Sequence, residues 1–256
     1  MKSFFAFFKK EMLESIRSGK LVLLGCLFLA FGIMNPAIAK LTPWLMETLS
    51  DSMAESGMIV TGVKVDAMTS WTQFFKNIPM ALIVFVLTYS GIFTKEYESG
   101  TLVLVLTKGL SRWKIVLAKA VLMVLTWTVG YWLCYGVTYA YNAYFWDNSV
   151  AVGLLSSVVF WWLFGVWVIG LIVLFSTLSK SNVGVLLGTG GTVLVSYLIE
   201  FLPKIKSFMP TLLMNTANLL TGKTSAEYYG KAVIVAVFLI VACLALSIPL
   251  MNKKEI

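Results

Sequence analysis

Apolar residues run almost without interruption over six stretches of this chain: Leu21–Ala39, Ile78–Thr94, Ile115–Tyr139, Val150–Leu178, Val183–Ile199 and Ala232–Leu250. A helix needs about 20 such residues to cross the hydrocarbon core of a membrane. Apolar positions that follow one another, rather than alternating with polar ones, predict helices and not barrel strands. The pattern therefore predicts an all-α integral membrane protein with six transmembrane helices, forming one membrane domain over residues 1–256.

The segments between the spans are patterned differently. Residues 1–18 place Phe4, Phe8, Met12 and Ile16 four apart, while Lys2, Lys9, Lys10, Glu11, Glu14 and Arg17 occupy the remaining surface. This predicts an amphipathic helix lying in the headgroup plane. Its length and structure argue against a cleaved leader, although Ala37-Ile38-Ala39 has the small residues of a cleavage site. Lys40 to Lys76 is the longest polar connection, read as an outer loop with a helix near Pro43–Ser56 and with Trp44 and Trp71 at the interface. The aromatic group from Tyr131 to Trp146 reads as an interfacial belt. In the fifth span Gly184, Gly188, Thr192 and Ser196 recur every four residues, a small-residue stripe that lets another helix approach closely. That partner is either a helix of the same chain or one of a second copy. Over 200–222, Pro203 and Pro210 break two short apolar pieces, predicted to form outer re-entrant or interfacial helices, with Glu200, Phe201 and Phe208 as candidate gate residues.

The most polar window near the spans is Thr94–Lys119, which carries Lys95, Glu96, Glu98, Lys108, Arg112, Lys114 and Lys119. Ser99 and Thr101 can cap a helix start, and Gly100 lets the chain bend before it. Leu102, Val105 and Leu106 then fall on one ridge at i, i+3 and i+4, and Lys108-Gly109 end the helix. The expectation is a short amphipathic helix, 96–108, that offers this ridge to something outside the chain.

Composition fits a membrane protein: 59% of the 256 residues are hydrophobic and 12% charged. The net charge of +8 raises nucleic acid as a partner, but its distribution removes the need for one. With six alternating spans, 13 of the 20 basic residues fall on the side of the termini and of Thr94–Lys119, and 7 of the 12 acidic residues fall on the other. The excess of basic residues predicts that this side is cytoplasmic. There is no histidine, which removes His-based acid–base and nucleophile chemistry and the commonest metal ligand. Cys26, Cys134 and Cys243 all sit in apolar runs, so neither a metal site nor a disulfide is expected. No catalytic residue is assigned.

Glu98, Gly100, Thr101, the apolar run to Leu106, and then Leu110, Ser111, Arg112 and Lys119 resemble the segment after the second span of bacterial ABC-2 type permeases. Lys108 departs from that pattern, since many such permeases carry proline there. The resemblance implies an N-terminal elbow helix at 1–18 and a cytoplasmic coupling helix at 96–108. On this reading Glu96, Glu98, Gly100, Thr101, Leu102, Val105, Leu106 and Arg112 form the docking surface for a separate ATP-hydrolysing subunit. Glu96 and Glu98 would pair with basic groups of that subunit or of the elbow helix. It further implies a dimer contact through the first and fifth spans, a route lined by the second and fifth, and outer helices that close the far end.

The segment Ala217–Thr224 matches a permissive phosphate-loop pattern, but it follows no strand and lies on the outer side. ATP and Mg²⁺ are therefore expected in the partner, with no cofactor in this chain. The implied function is the permease half of an exporter in the bacterial inner membrane, with both termini cytoplasmic. Its cargo would be amphipathic or lipophilic, such as a toxin-like or phenol-soluble-modulin-like peptide or a drug. The competing reading is an ion-coupled carrier or channel, which would place ionisable groups at membrane depth. Lys119 and Glu200 lie at span ends.

Overall fold

The computed structural model describes residues 2–55 and 65–254. In chain order the helices are α1 (Lys2–Arg17), α2 (Lys20–Glu55), α3 (Ala67–Tyr89), α4 (Thr94–Glu98), α5 (Thr101–Thr107), α6 (Arg112–Phe145), α7 (Leu154–Leu178), α8 (Asn182–Ile199), α9 (Ala217–Leu220) and α10 (Gly230–Lys253). Six of them, α2, α3, α6, α7, α8 and α10, are long and apolar enough to cross a membrane. Part of the predicted outer loop, residues 56–64, lies outside the described residues.

Most spans extend beyond their apolar runs. The helix predicted at Pro43–Ser56 is a continuation of α2, which passes through Pro36 and Pro43 to Glu55. Helix α3 begins at Ala67 because Asp66 caps it: the Asp66 carboxylate accepts from the Thr69 amide at 3.0 Å. Its early turns are therefore core. Trp71, expected at the interface, is fully buried, and its Nε1 donates to Asn148 Oδ1 at 3.0 Å.

Pro36 has no N–H to give, so the Gly32 carbonyl loses its helical partner. The Thr138 hydroxyl of α6 takes that place at 3.1 Å. Asn35 Nδ2 donates to Thr138 Oγ1 at 3.1 Å, and Asn77 Nδ2 of α3 donates to Asn35 Oδ1 at 2.8 Å. The proline break is thus closed by a polar network joining α2, α3 and α6, as buried backbone in lipid requires.

Helix α2 packs on α3 and α6, while α7 packs on α10, α8 and α6. Helix α7 is apolar on all sides and the most buried span. Helix α8 is at the other extreme and, among the long helices, packs mainly on α7.

The predicted outer re-entrant helices are instead a string of short turns. Lys206–Phe208 and Pro210–Met214 are 3₁₀ turns, followed by the single turn α9. Leu212 and Leu213 are buried against α7 and α10, while Phe201, Ile205 and Phe208 stay exposed. Trp161 Nε1 donates to the Met214 carbonyl at 3.1 Å and fixes this cap to α7. Prolines at 203 and 210 leave no stretch long enough for regular helix.

Candidate functional site

The site is built where α3 stops. Its backbone unwinds over Ser90–Phe93, which frees the Ile92 carbonyl, and α4 restarts at Thr94. A lysine from α6 fills the gap. Lys119 is 1% exposed, and its ammonium donates to the Ile92 carbonyl at 3.0 Å and to Glu11 Oε2 of α1 at 2.7 Å, and it lies 3.0 Å from Glu96 Oε2 of α4. The rings of Phe7 and Phe93 lie 5.7 and 5.5 Å from the same ammonium. A charge removed from water needs partners of this kind on every side.

Lys10 closes the network from outside. Its ammonium lies 2.9 Å from Glu11, 2.8 Å from Glu14 and 2.8 Å from Glu96. Burial pulls the Lys10 pKa down, but hydrogen bonds to Glu14, Glu96 and Glu11 outweigh it and hold the pKa above the ordinary lysine range. Glu11, Glu14 and Glu96 bring carboxylate oxygens within 4.8 Å of one another, a spacing a cation could use. The Lys10 and Lys119 ammonium groups supply the positive charge there.

This network decides which face of α1 turns inward. Its buried line is Phe7, Glu11 and Ser15, with Phe5, Leu13 and Ile16 exposed. The sequence pattern put Glu11 on the polar surface; pairing with Lys119 brings it inside.

The α4–α5 hairpin is held at several further points. Tyr97 Oη donates to the Ser176 carbonyl at the end of α7 at 3.2 Å, and the Thr94 hydroxyl donates to Asn182 Oδ1 at the start of α8. Gly100 takes a left-handed φ of 68° and Gly109 one of 81°, so each end of α5 turns sharply. Ser99 and Thr101 do not cap α5; their hydroxyls bond each other at 2.9 Å. Arg112 is occupied inside the chain, donating to the Met251 carbonyl at 2.6 Å and the Lys254 carbonyl at 2.7 Å at the end of α10.

The predicted ridge is rotated. Leu102 is 0% exposed, and Val105 and Leu106 pack partly against the core. Leu104, at 64% exposure, and Val103 face outward instead, with Glu98, Thr107 and Lys108 exposed beside them. The hairpin is thus an apolar two-residue knob on a base anchored by buried ions. Sequence reasoning missed Lys10, Glu11, Tyr97 and Lys119. One signal was available: Lys119 sits between Ala118 and Ala120 inside an apolar run, where an unpaired lysine would be costly.

The other predicted residues lie apart from this hairpin. In α8 a Cβ on Gly188 would come within 2.3 Å of the Phe175 ring, and one on Gly184 within 2.1 Å of Ser179 Oγ, so that part of the stripe packs on α7 and its C-terminal end. Thr192 and Ser196 return their hydroxyls to the Gly188 and Thr192 carbonyls, each at 2.8 Å. Glu200 is buried at the far end of α8, with Phe201 exposed beside it and Phe208 under the Lys231 ammonium at 5.2 Å. The phosphate-loop match is closed on itself: the Lys223 and Thr224 amides both donate to the Asn218 carbonyl, at 2.8 and 3.2 Å.

The family model described as ABC-2 family transporter protein matches residues 5–255. The chain is also similar to the uncharacterized transmembrane protein YxlG of Bacillus subtilis (strain 168), at 22% identity over 263 residues that cover 100% of this chain and 99% of that protein.

Proposed function

The chain belongs to the ABC-2 transporter family and is a transmembrane permease component, and from that premise we propose that it is the permease half of an ATP-driven exporter with a separate ATPase docked on α4–α5. The observation that carries this reading is the contrast within the hairpin. Its base is fixed to α1 and α6 by the Glu96, Lys10 and Lys119 ion pairs, while Leu104 and Val103 stand exposed on the surface. Exposed apolar residues on a rigid mount suit insertion into a groove of another protein. Glu98 and Lys108 beside the knob supply charge to fix the register. ATP and Mg²⁺ would be held by that partner.

The same hairpin touches the elements that would have to move. Tyr97 reaches the end of α7 and Thr94 the start of α8, so a push on α5 is delivered directly to the least embedded span. An apolar groove of about 270 Å³ lies between α3, α7 and α8, lined by residues including Leu82, Val86, Phe164 and Val193. Its lining supports an amphipathic or lipophilic cargo, peptide or drug-like. The exposed apolar faces of α2 and α8, including Leu187, Leu194 and Leu198 of α8, are the surfaces we assign to a second copy. The charge asymmetry supports an inner-membrane location with the termini and the hairpin in the cytoplasm.

The test is purification of the tagged chain from its native membranes in mild detergent, with mass spectrometry of what accompanies it. A soluble ATPase is expected with the wild type and is lost from Leu104→Asp, whose side chain has no packing role within the chain. Absence of any ATPase from the wild type would overturn the reading.

A further inference from the structure

At the end of the bundle opposite the hairpin, α8 runs out into an open cavity of about 370 Å³ lined by Tyr197, Glu200, Phe201, Pro203, Lys206 and Asn215. Glu200 is only 7% exposed. Its Oε1 accepts from Asn215 Nδ2 at 3.1 Å, but Oε2 is shut off from solvent and has no hydrogen-bond partner among the described residues. The ion pairs among the described residues all belong to the Lys10–Lys119 network, so no basic side chain neutralises Glu200. A buried carboxylate left in this state is a strong demand for a positive hydrogen-bond donor.

The rest of the cavity narrows what that donor is. The rings of Tyr197 and Phe201 meet edge to face with centroids 5.6 Å apart, and both are largely exposed. Aromatic faces beside a carboxylate stabilise an organic ammonium through the ring quadrupole, and they offer nothing to a hydrated metal ion, which wants oxygen ligands. Lys206 shares the wall and opposes any cation, so the occupant is one that gains the ring contacts as well as the carboxylate. We infer that this cavity binds an organic ammonium, with Glu200 as its counter-ion and Tyr197 and Phe201 as its aromatic walls. The inference stands on the cavity alone and does not depend on the docking surface at α4–α5.

The chain in nanodiscs of phosphatidylglycerol, with empty discs subtracted, is titrated with radiolabelled phenethylamine at physiological salt, and phenethyl alcohol serves as the uncharged competitor. Saturable binding that the alcohol does not compete away is expected. Glu200→Gln keeps the acceptor for Asn215 and removes the charge, and it should weaken binding about ten-fold or more. Phe201→Leu, at an exposed position without a folding role, should weaken it by about two- to five-fold. Lys206→Gln should strengthen it. No saturable binding by the wild type, or unchanged affinity in Glu200→Gln, overturns the inference, whatever the ATPase experiment returns; unchanged affinity in Phe201→Leu removes the aromatic wall from it. Repeating the titration with phosphatidylethanolamine in the discs separates the sources of the ammonium. Competition by that lipid assigns the site to a headgroup amine, and its absence assigns the site to a soluble amphipathic amine; the ammonium chemistry holds in both cases.

Discussion

Replacing Lys119 by Met tests the ion network directly, because Met keeps much of the stem volume and removes only the ammonium. Two carboxylates, Glu11 and Glu96, would then stay buried without the cation that lies 2.7 and 3.0 Å from them. Breaking a buried ion pair from one side costs about 3–5 kcal/mol, since the stranded charge cannot return to water. The comparison is Lys10→Met. That ammonium touches three carboxylates but is half-exposed, so solvent screens the loss to about 1–2 kcal/mol. Adding Glu11→Gln and Glu96→Gln to Lys119→Met removes the whole buried set, and most of the lost stability should return. Denaturant unfolding of the purified variants in mixed micelles measures all three. A Lys119→Met variant no less stable than Lys10→Met would show that the buried ions do not hold α1, α4 and α6 together.

Leu102→Ala should destabilise the chain by about 2–5 kcal/mol in the same assay, while Leu104→Ala should change it little and lower ATPase co-purification, which separates the buried from the exposed side of α5. Thr138→Val strips the Gly32 carbonyl and Asn35 of their partner, with an expected cost of about 1–2 kcal/mol by unfolding and a chain that still inserts. Gly188→Leu should force α8 away from Phe175 and reduce stability, whereas Gly191→Leu, at a position where an added Cβ meets nothing within 4 Å in the chain, should leave monomer stability little changed and alter cross-linking between copies if that face is the dimer contact.

The spans were legible because hydrophobic length is a local property. Leu154–Leu178 is apolar on every side, and a helix of that kind has to be buried in protein, in lipid or in both. Boundaries were less legible, since they depend on partners distant in sequence. Helix α3 begins at Ala67 because Asp66 caps it and Trp71 finds Asn148, a residue 77 positions away. The polar network around Pro36 had a visible cause in the missing N–H, but its solution, Thr138, lies on another span.

The hairpin shows a harder limit. Periodicity identifies which residues share a face, so Leu102, Val105 and Leu106 were correctly grouped. It does not say which of two apolar faces turns inward when both exist, and α5 has a second one in Val103 and Leu104. That choice is made by the anchor beneath it. Glu96 must reach Lys119 and Lys10, and Tyr97 must reach Ser176, before the chain turns at Gly100. With those contacts fixed and Gly100 in its left-handed conformation, the helix emerges with Leu102 pointing down. A hydrophobicity pattern cannot carry this information, because it counts a charged residue as surface. Here three charged residues, Glu11, Glu96 and Lys119, are interior, and they set the orientation of the helix that the apolar pattern had found.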